Sequence, residues 1–430
     1  MFKRLFNKIN SILASERYRV VIQNMLFLGL MQGVNFLVPL MIVPVLISRI
    51  GLEKFGLISL ATATTSYFLI LSDYGFNLTA TRKVSVNRES SMDLSSILTS
   101  VMSIKFGLLF LGFLSLFSLT YLFDFFENYR LLYLLPFGFV IGQVLFPVWF
   151  FQGIEKMRYI TLLNSGAKLV YFVLVLFYVQ NEEDYLLVPF FLSCCTITMG
   201  LISQFIIRFK YKVKFVTPVL TDIRHFLYDG WYIFLSRIAV VAYTSGNIFI
   251  LGVFAGNIAV GIYTVAQKVI TAISTIGSII NRALFPNLSL EWKKDKIEFF
   301  DVVSKVVKIE IGIMLMTSIV LFLTSSIVVN FFSNEYVDES VLTLKILVWS
   351  VILIPLGGIF TQCFVTMEQN KLVVKTTMLS TLVNLLLVFV LINWFSYIGL
   401  AFTVILVQLF QVLINSYYFR KIKNRSICVE

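Results

Sequence analysis

The sequence predicts an all-α polytopic membrane protein with about twelve transmembrane helices in two six-helix bundles. Three observations predict it. Of the 430 residues, 58% are hydrophobic and 13% charged, too apolar a balance for a soluble domain. Apolar runs of about 20 residues, enough to cross a hydrocarbon core about 30 Å thick, recur along the whole chain. Short clusters of Lys and Arg separate these runs and collect on one side of the expected membrane.

The first stretch, MFKRLFNKINSILASERYR, places Phe2, Leu5, Phe6, Ile9, Ile12 and Leu13 at helical spacing opposite Lys3, Arg4 and Lys8. Residues 1–19 are therefore expected to lie as an amphipathic helix on the inner membrane surface. The approach is too polar, and lacks the small-residue cleavage site, for a removable signal peptide. Six apolar runs follow at 21–47, 57–79, 97–121, 131–152, 159–179 and 185–207, giving an N-terminal bundle over 20–208. A polar linker, 209–225, carries RFKYKVKFVTPVLTDIRH across its length. Six more runs at 226–252, 257–285, 306–330, 341–365, 371–393 and 397–418 give a C-terminal bundle over 226–418, and 419–430 is a basic tail.

Cations set the orientation. Arg82, Lys83 and Arg88, Lys156 and Arg158, the linker, Lys293, Lys294 and Lys296, Lys371 and Lys375, and both termini fall on one side. The other side holds Arg49, Lys54 and Arg130 with acidic clusters such as Glu182, Glu183 and Asp184. The first side is cytoplasmic by the positive-inside rule, which puts both termini inside. The external loops are short and leave no room for a large catalytic domain. The net charge of +12 is scattered in these clusters rather than gathered in a stripe, which argues against nucleic acid. No metal-ligand spacing and no cofactor motif is present, and the four cysteines form no disulfide framework.

Sliding one half over the other aligns GLEKFGLISLA at 51–61 with GNIAVGIYTVA at 256–266, so that Gly51 falls on Gly256, Gly56 on Gly261 and Ala61 on Ala266. Both segments are outer turns between the first and second spans of their halves. Two halves of like orientation imply a parallel repeat with a site between them.

The polar residues inside the spans carry the functional expectation. Arg237 is predicted to lie roughly 16 Å deep in span 7, where a cation costs about 2.5 to 3.5 kcal/mol even on the insertion scale. In span 8, Thr264, Lys268, Thr271, Thr275, Ser278 and Arg282 recur at intervals of three and four and share one helix face, which is expected to be wet. Span 5 adds Lys168 with Asn164, span 3 adds Lys105, and span 1 adds Gln32 and Asn35. Asp73 is expected to be nearly the only acid well inside a span. It is either the ion-pair partner of Lys105 or Arg282, or a protonatable coupling group. Deep cations that outnumber their acids call for an anion.

The segments GLEKFGL at 51–57, SDYGFNLTATRKVS at 72–85, PVWFFQGIEKM at 147–157 and DGWYIFLSRIAVVAYTSGNIFILGVFAGNIAVGIYTVAQKV at 229–269 carry a resemblance. They are similar to the polysaccharide-export flippases of the MOP superfamily, the Wzx-type O-antigen and capsule repeat-unit translocases. The resemblance implies a MATE-like, V-shaped pair of bundles in the bacterial cytoplasmic membrane. It also implies alternating-access transport of an oligosaccharide on polyprenyl pyrophosphate from the inner to the outer leaflet. A polysaccharide polymerase and a chain-length regulator would be partners, with membrane lipid around the polyprenyl tail. The family's Arg in span 7 and Lys in span 8 are matched here by Arg237 and Lys268.

Elementary chemistry agrees with that cargo. A pyrophosphate suits Lys and Arg donors, and sugars suit hydroxyl and amide groups such as Thr264, Thr271, Asn164 and Gln32. No nucleotide-binding loop is present, so transport is expected to run on an H+ or Na+ gradient or on the cargo's own concentration difference. Three other classes compete. A multidrug exporter of the superfamily would bind organic cations, for which a positive cavity is unfavourable. A lipid II flippase would carry extra spans. A membrane polymerase or ligase would need an external catalytic loop and a nucleophile–base pair, and the one histidine, His225, is cytoplasmic.

Overall fold

A computed structural model describes residues 16–333 and 336–427, some helical side chains excepted. Residues 1–15 of the predicted surface segment at 1–19 and the end of the tail, with Cys428, lie outside the described residues, and 16–19 open the first long helix. Every regular element among the described residues is helical. That is what lipid demands, because only a helix or a closed barrel satisfies each backbone N–H and C=O without water.

Three helical runs are too long to cross once. Glu16–Asp73 has 58 residues, Leu220–Lys294 has 75 and Asn370–Ile427 has 58. A straight helix as long as the longest of these would approach about 110 Å, against about 40–45 Å for a whole bilayer. Each run is broken once, at Gly51 (φ 74°, ψ 164°), Gly256 (φ 80°, ψ 178°) and Ser396 (φ 51°, ψ −129°). The first two dihedral pairs belong to a region that is essentially open to glycine alone. These breaks are the predicted outer turns after spans 1, 7 and 11.

Among the described residues, seven helices are long and apolar enough to cross a membrane, eight if the bent pair Asp124–Leu134 and Phe137–Gly153 is one span. Two of the seven contain a break, and Glu16–Asp73 is a third broken run. Counting each broken run twice accounts for the twelve predicted spans.

Several boundaries differ from the sequence reading. The apolar run at 131–152 is three helices, Arg130–Leu134, Phe137–Leu145 and Val148–Gly153, because Pro136 and Pro147 interrupt the hydrogen-bond ladder. The carbonyl of Leu145, freed beside Pro147, accepts from Ser203 Oγ at 3.1 Å and Gln204 Nε2 at 2.6 Å on helix Leu187–Phe209. Span 9 begins ten residues before the predicted 306, at Lys296, where Asp295 Oδ1 accepts from Ile297 N at 2.8 Å and Glu298 N at 3.1 Å. Span 2 stops at Asp73, and the chain re-enters through Tyr74 (φ 45°) and Gly75 (φ 87°) into a separate helix, Phe76–Val86.

The chain forms two compact units that do not follow a cut at the 209–225 linker. One comprises Met1–Ile42, Phe68–Gln180 and Leu186–Phe234; the other comprises Val43–Tyr67, Asn181–Tyr185 and Leu235–Glu430. The first turn thus belongs to the second unit, and the opening of span 7 to the first. In the first unit Phe76, Ala80 and Val84 of the short helix pack into a core with Trp149, Phe150 and Phe226. Below this core lies a buried polar group: Asp73 is 8% exposed and Lys105 4%, near enough for their opposite charges to act on each other. Asn77 Nδ2 also donates to Asp73 Oδ1 at 2.6 Å.

In the second unit the two repeated turns meet. A Cβ on Gly56 would stand 2.0 Å from Asn257 O, and one on Gly261 would stand 2.6 Å from Leu52 O. Under the internal alignment Leu52 corresponds to Asn257 and Gly56 to Gly261. Each contact is therefore the image of the other, as in an isologous interface.

Two predictions follow from this packing. Gly56→Ala should lower the melting temperature of the purified protein, by an amount equivalent to about 1–3 kcal/mol, because the methyl meets backbone rather than a side chain that can swing away. Gly166→Ala, in a helix with nothing within 4 Å of the new atom, should be neutral or stabilising; equal melting temperatures for the two variants would refute the contact. Asp73→Asn or Lys105→Met alone should cost about 3–5 kcal/mol, as expected when one partner of a buried pair is left behind. The double variant should recover part of that loss in a thermal-denaturation cycle, and strict additivity would exclude coupling.

Candidate functional site

The two cations that the sequence singles out most strongly lie on the two arms of one broken helix in the second unit. Arg237 is half-buried; Lys268 is exposed. At 1.5 Å per residue they lie about 28 Å and about 18 Å from the Gly256 turn, so they occupy two levels along the arms. Thr271, one turn beyond Lys268 on the same face, is also exposed, and Thr275 and Ser278 are half-buried.

Helix geometry prepares these hydroxyls as acceptors. Thr271 Oγ1 donates to Gln267 O at 2.8 Å, Thr275 Oγ1 to Thr271 O at 2.8 Å and Ser278 Oγ to Ser274 O at 3.2 Å. With its proton committed to the backbone, each oxygen offers its lone pairs outward. The predicted single wet face is nonetheless divided. Thr264 is 2% exposed and its hydroxyl has no partner, because the upper turn of span 8 packs against the outer turns.

The remaining predicted residues fall in the first unit or outside description. Lys105 is buried with Asp73 rather than open to a cavity. Lys168 and Asn164 are half-buried on helix Met157–Tyr178, below Thr161, whose hydroxyl donates to Phe27 O at 2.8 Å. The structure does not gather these residues with Arg237 and Lys268 in one unit. The side chains of Gln32, Asn35 and Arg282 lie outside the described residues.

Two features were missed from sequence. Asp73 is not nearly alone as a deep acid. Glu310, in helix Lys296–Leu323, is 2% exposed, with both its carboxyl oxygens buried. It lies beside Asn281, whose Nδ2 donates to Pro355 O at 3.0 Å. The acid is visible in the apolar stretch IEIGIML, and a search of each span for carboxylates finds it.

The second feature is a cavity of about 320 Å³ within the second unit, lined by residues of spans 7, 8, 10, 11 and 12. It takes in Thr271, Thr275 and Ser278 from the predicted stripe and adds Asn247, Asn384 and Gln408. Among the described residues, no charged side chain lines it. A reading that looked for charge passed over these amides.

A further cavity, in the first unit, is of mixed sign. It holds about 830 Å³ and is lined by Arg82, Lys83, Asp93, Asp222, His225 and Asp229 among others. Ser96 Oγ donates to Asp222 Oδ2 at 3.2 Å, and the Lys83 ammonium sits 4.1 Å over the Phe226 ring. Its charges largely answer one another, so it selects neither an anion nor a cation.

A protein from Escherichia coli (strain K12) named "Putative O-antigen transporter" is 28% identical over 408 residues, covering 95% of this chain and 98% of its own length. A protein of the same name from Shigella dysenteriae is 25% identical, covering 91% and 98%. Among solved structures, an inward-facing MATE family transporter of the MOP superfamily matches with a TM-score of 0.73 at 14% identity, covering 89% of this chain and 93% of that one. The lipid II flippase MurJ, in an inward closed conformation, also gives 0.73 at 14% identity, covering 92% and 87%. These structures share the fold of the MOP superfamily with this chain. Residues 21–292 match the model of the polysaccharide biosynthesis protein family, and the chain, with the fold and the membrane helices of that match, belongs to this family.

Proposed function

We propose that the protein is a flippase that carries polyprenyl-pyrophosphate-linked oligosaccharide repeat units, of O-antigen, capsule or a similar surface polysaccharide, from the inner to the outer leaflet of the bacterial cytoplasmic membrane. The observation that carries the reading is Lys268, an exposed residue that brings a cation into a transmembrane arm beside exposed Thr271, with half-buried Arg237 on the other arm. Hydrocarbon would give that ammonium nothing, so its surroundings are water or an anion. Pyrophosphate is the anion that a membrane-bound glycan carrier presents at such depth. Family membership and two relatives named for O-antigen transport support the same cargo.

The roles divide by chemistry. Arg237 offers a planar fork for two phosphate oxygens, and Lys268 a compact charge. Alternating exposure of these groups to the two leaflets moves the headgroup while the polyprenyl tail stays in lipid. Asp73 is a structural partner of Lys105 in this reading, because a buried carboxylate that already accepts the Asn77 amide and feels the charge of Lys105 is a poor proton exchanger. Both termini lie in the cytoplasm, where the basic connections and the tail collect. Organic cations, the cargo of a multidrug exporter, would be repelled by the same two groups.

Arg237→Ala and Lys268→Ala should each abolish surface-glycan export while the protein remains folded and inserted, with full repeat units accumulating on the inner leaflet. Arg237→Lys should retain part of the export if charge alone matters and little if bidentate geometry does. Full export from both alanine variants at native expression, read by surface-glycan and lipid-intermediate analysis, would remove the cationic site from the mechanism.

A further inference from the structure

The cavity in the second unit is built for a ligand of a different kind from the one that Arg237 and Lys268 await. Asn247 on span 7 is 1% exposed, and neither its Nδ2 nor its Oδ1 has a hydrogen-bond partner. Asn384 on span 11 is 1% exposed with an unpartnered Oδ1, and Ser274 on span 8 is 5% exposed with an unpartnered Oγ. All three line the same cavity. A buried amide or hydroxyl without a partner costs about 1–3 kcal/mol, so three of them around one space are expected only where something else completes them.

The chemistry of that something is narrow. The vacant groups include a donor, the Asn247 amide N–H, and several acceptors, so the ligand must both donate and accept over a short distance. A phosphate only accepts, and among the described residues no cationic side chain lines the cavity to hold it. A metal ion or an organic cation would want a carboxylate, and none lines it among the described residues. Hydroxyl groups donate and accept. Tyr243 and Tyr263 add rings, and Ile270, Leu347, Ile354 and Val407 add apolar wall, against which the C–H face of a sugar ring can lie. The volume falls at the lower end of the range for small-ligand pockets, about 300–1,000 Å³.

We propose that this cavity is a neutral saccharide subsite, in which Asn247, Asn384 and Ser274 hydrogen-bond hydroxyls of the glycan. The proposal rests on the flippase reading and adds to it a second point of recognition. The pyrophosphate is held by charge, and the sugars by uncharged groups inside the C-terminal spans.

The test compares two probes on the full chain in lipid nanodiscs: bare polyprenyl pyrophosphate, and the same lipid bearing the host's own repeat unit. Asn247→Leu and Asn384→Leu should each weaken binding of the glycan-bearing lipid about tenfold, the loss of one hydrogen bond of ordinary net strength. Binding of the bare lipid should not change. The ligand-free variants should melt at or above the wild-type temperature, because leucine removes buried polar atoms left unpartnered, both of Asn247's and the Oδ1 of Asn384. Ser274→Ala, a smaller change, should move the same way.

Equal weakening for both lipids, a fall in melting temperature with it, or no weakening for either would overturn the subsite, the last leaving a cavity that holds only water. Wild-type protein that binds neither lipid would overturn the flippase reading and the subsite together. Bare-lipid binding that survives Arg237→Ala unchanged would overturn only the role given to that cation.

Discussion

A charge or an open backbone group inside hydrocarbon has no water to turn to, and the arrangement of this protein follows from how each such group is answered. The Leu145 carbonyl, exposed by the break at Pro147, is covered by Ser203 and Gln204 from the neighbouring helix. Lys105, carried into the first unit, is met by Asp73, itself steadied by Asn77. Groups answered in this way are scaffold. Those that the protein leaves open, Lys268 at an exposed position and the Asn247 amide and Asn384 Oδ1 around a cavity, are the groups to which the proposed cargo is assigned. Sorting deep polar groups by whether the protein itself completes them separates structure from function more cleanly than depth alone.

Much of the fold was legible because bilayer thickness and glycine geometry leave few alternatives. The turns at Gly51 and Gly256 were found from apolar run length and from an internal match, and both glycines adopt dihedrals that other residues rarely take. The kinked fourth span was not read, since Pro136 and Pro147 lie in a run whose hydrophobicity is unbroken. The early start of span 9 was not read either, because its first turns are amphipathic and the Asp295 cap lies outside the apolar window.

At the site, Lys268 and Thr271 were legible from helical spacing, while Thr264, on the same stripe, is sealed by packing that spacing cannot reveal. Lys105 looked like a cavity cation by depth and is buried, 4% exposed, where the charge of Asp73 acts on it. The amide-lined cavity draws on spans 7, 8, 10, 11 and 12, and its members become neighbours only once those spans are assembled.

The contact between the repeated turns bears on which sequences the two halves can reach. Gly56 rests on Asn257 and Gly261, and Gly261 rests on Leu52, so a side chain added in either copy strikes the backbone of the other. Elsewhere the halves are free to drift apart, as span 2 and span 8 have done in charge. At this one place a change in one copy is vetoed by its twin, whatever the cargo. Drift would then erase a common origin everywhere except along that seam, and it is there that the match between the halves can still be read.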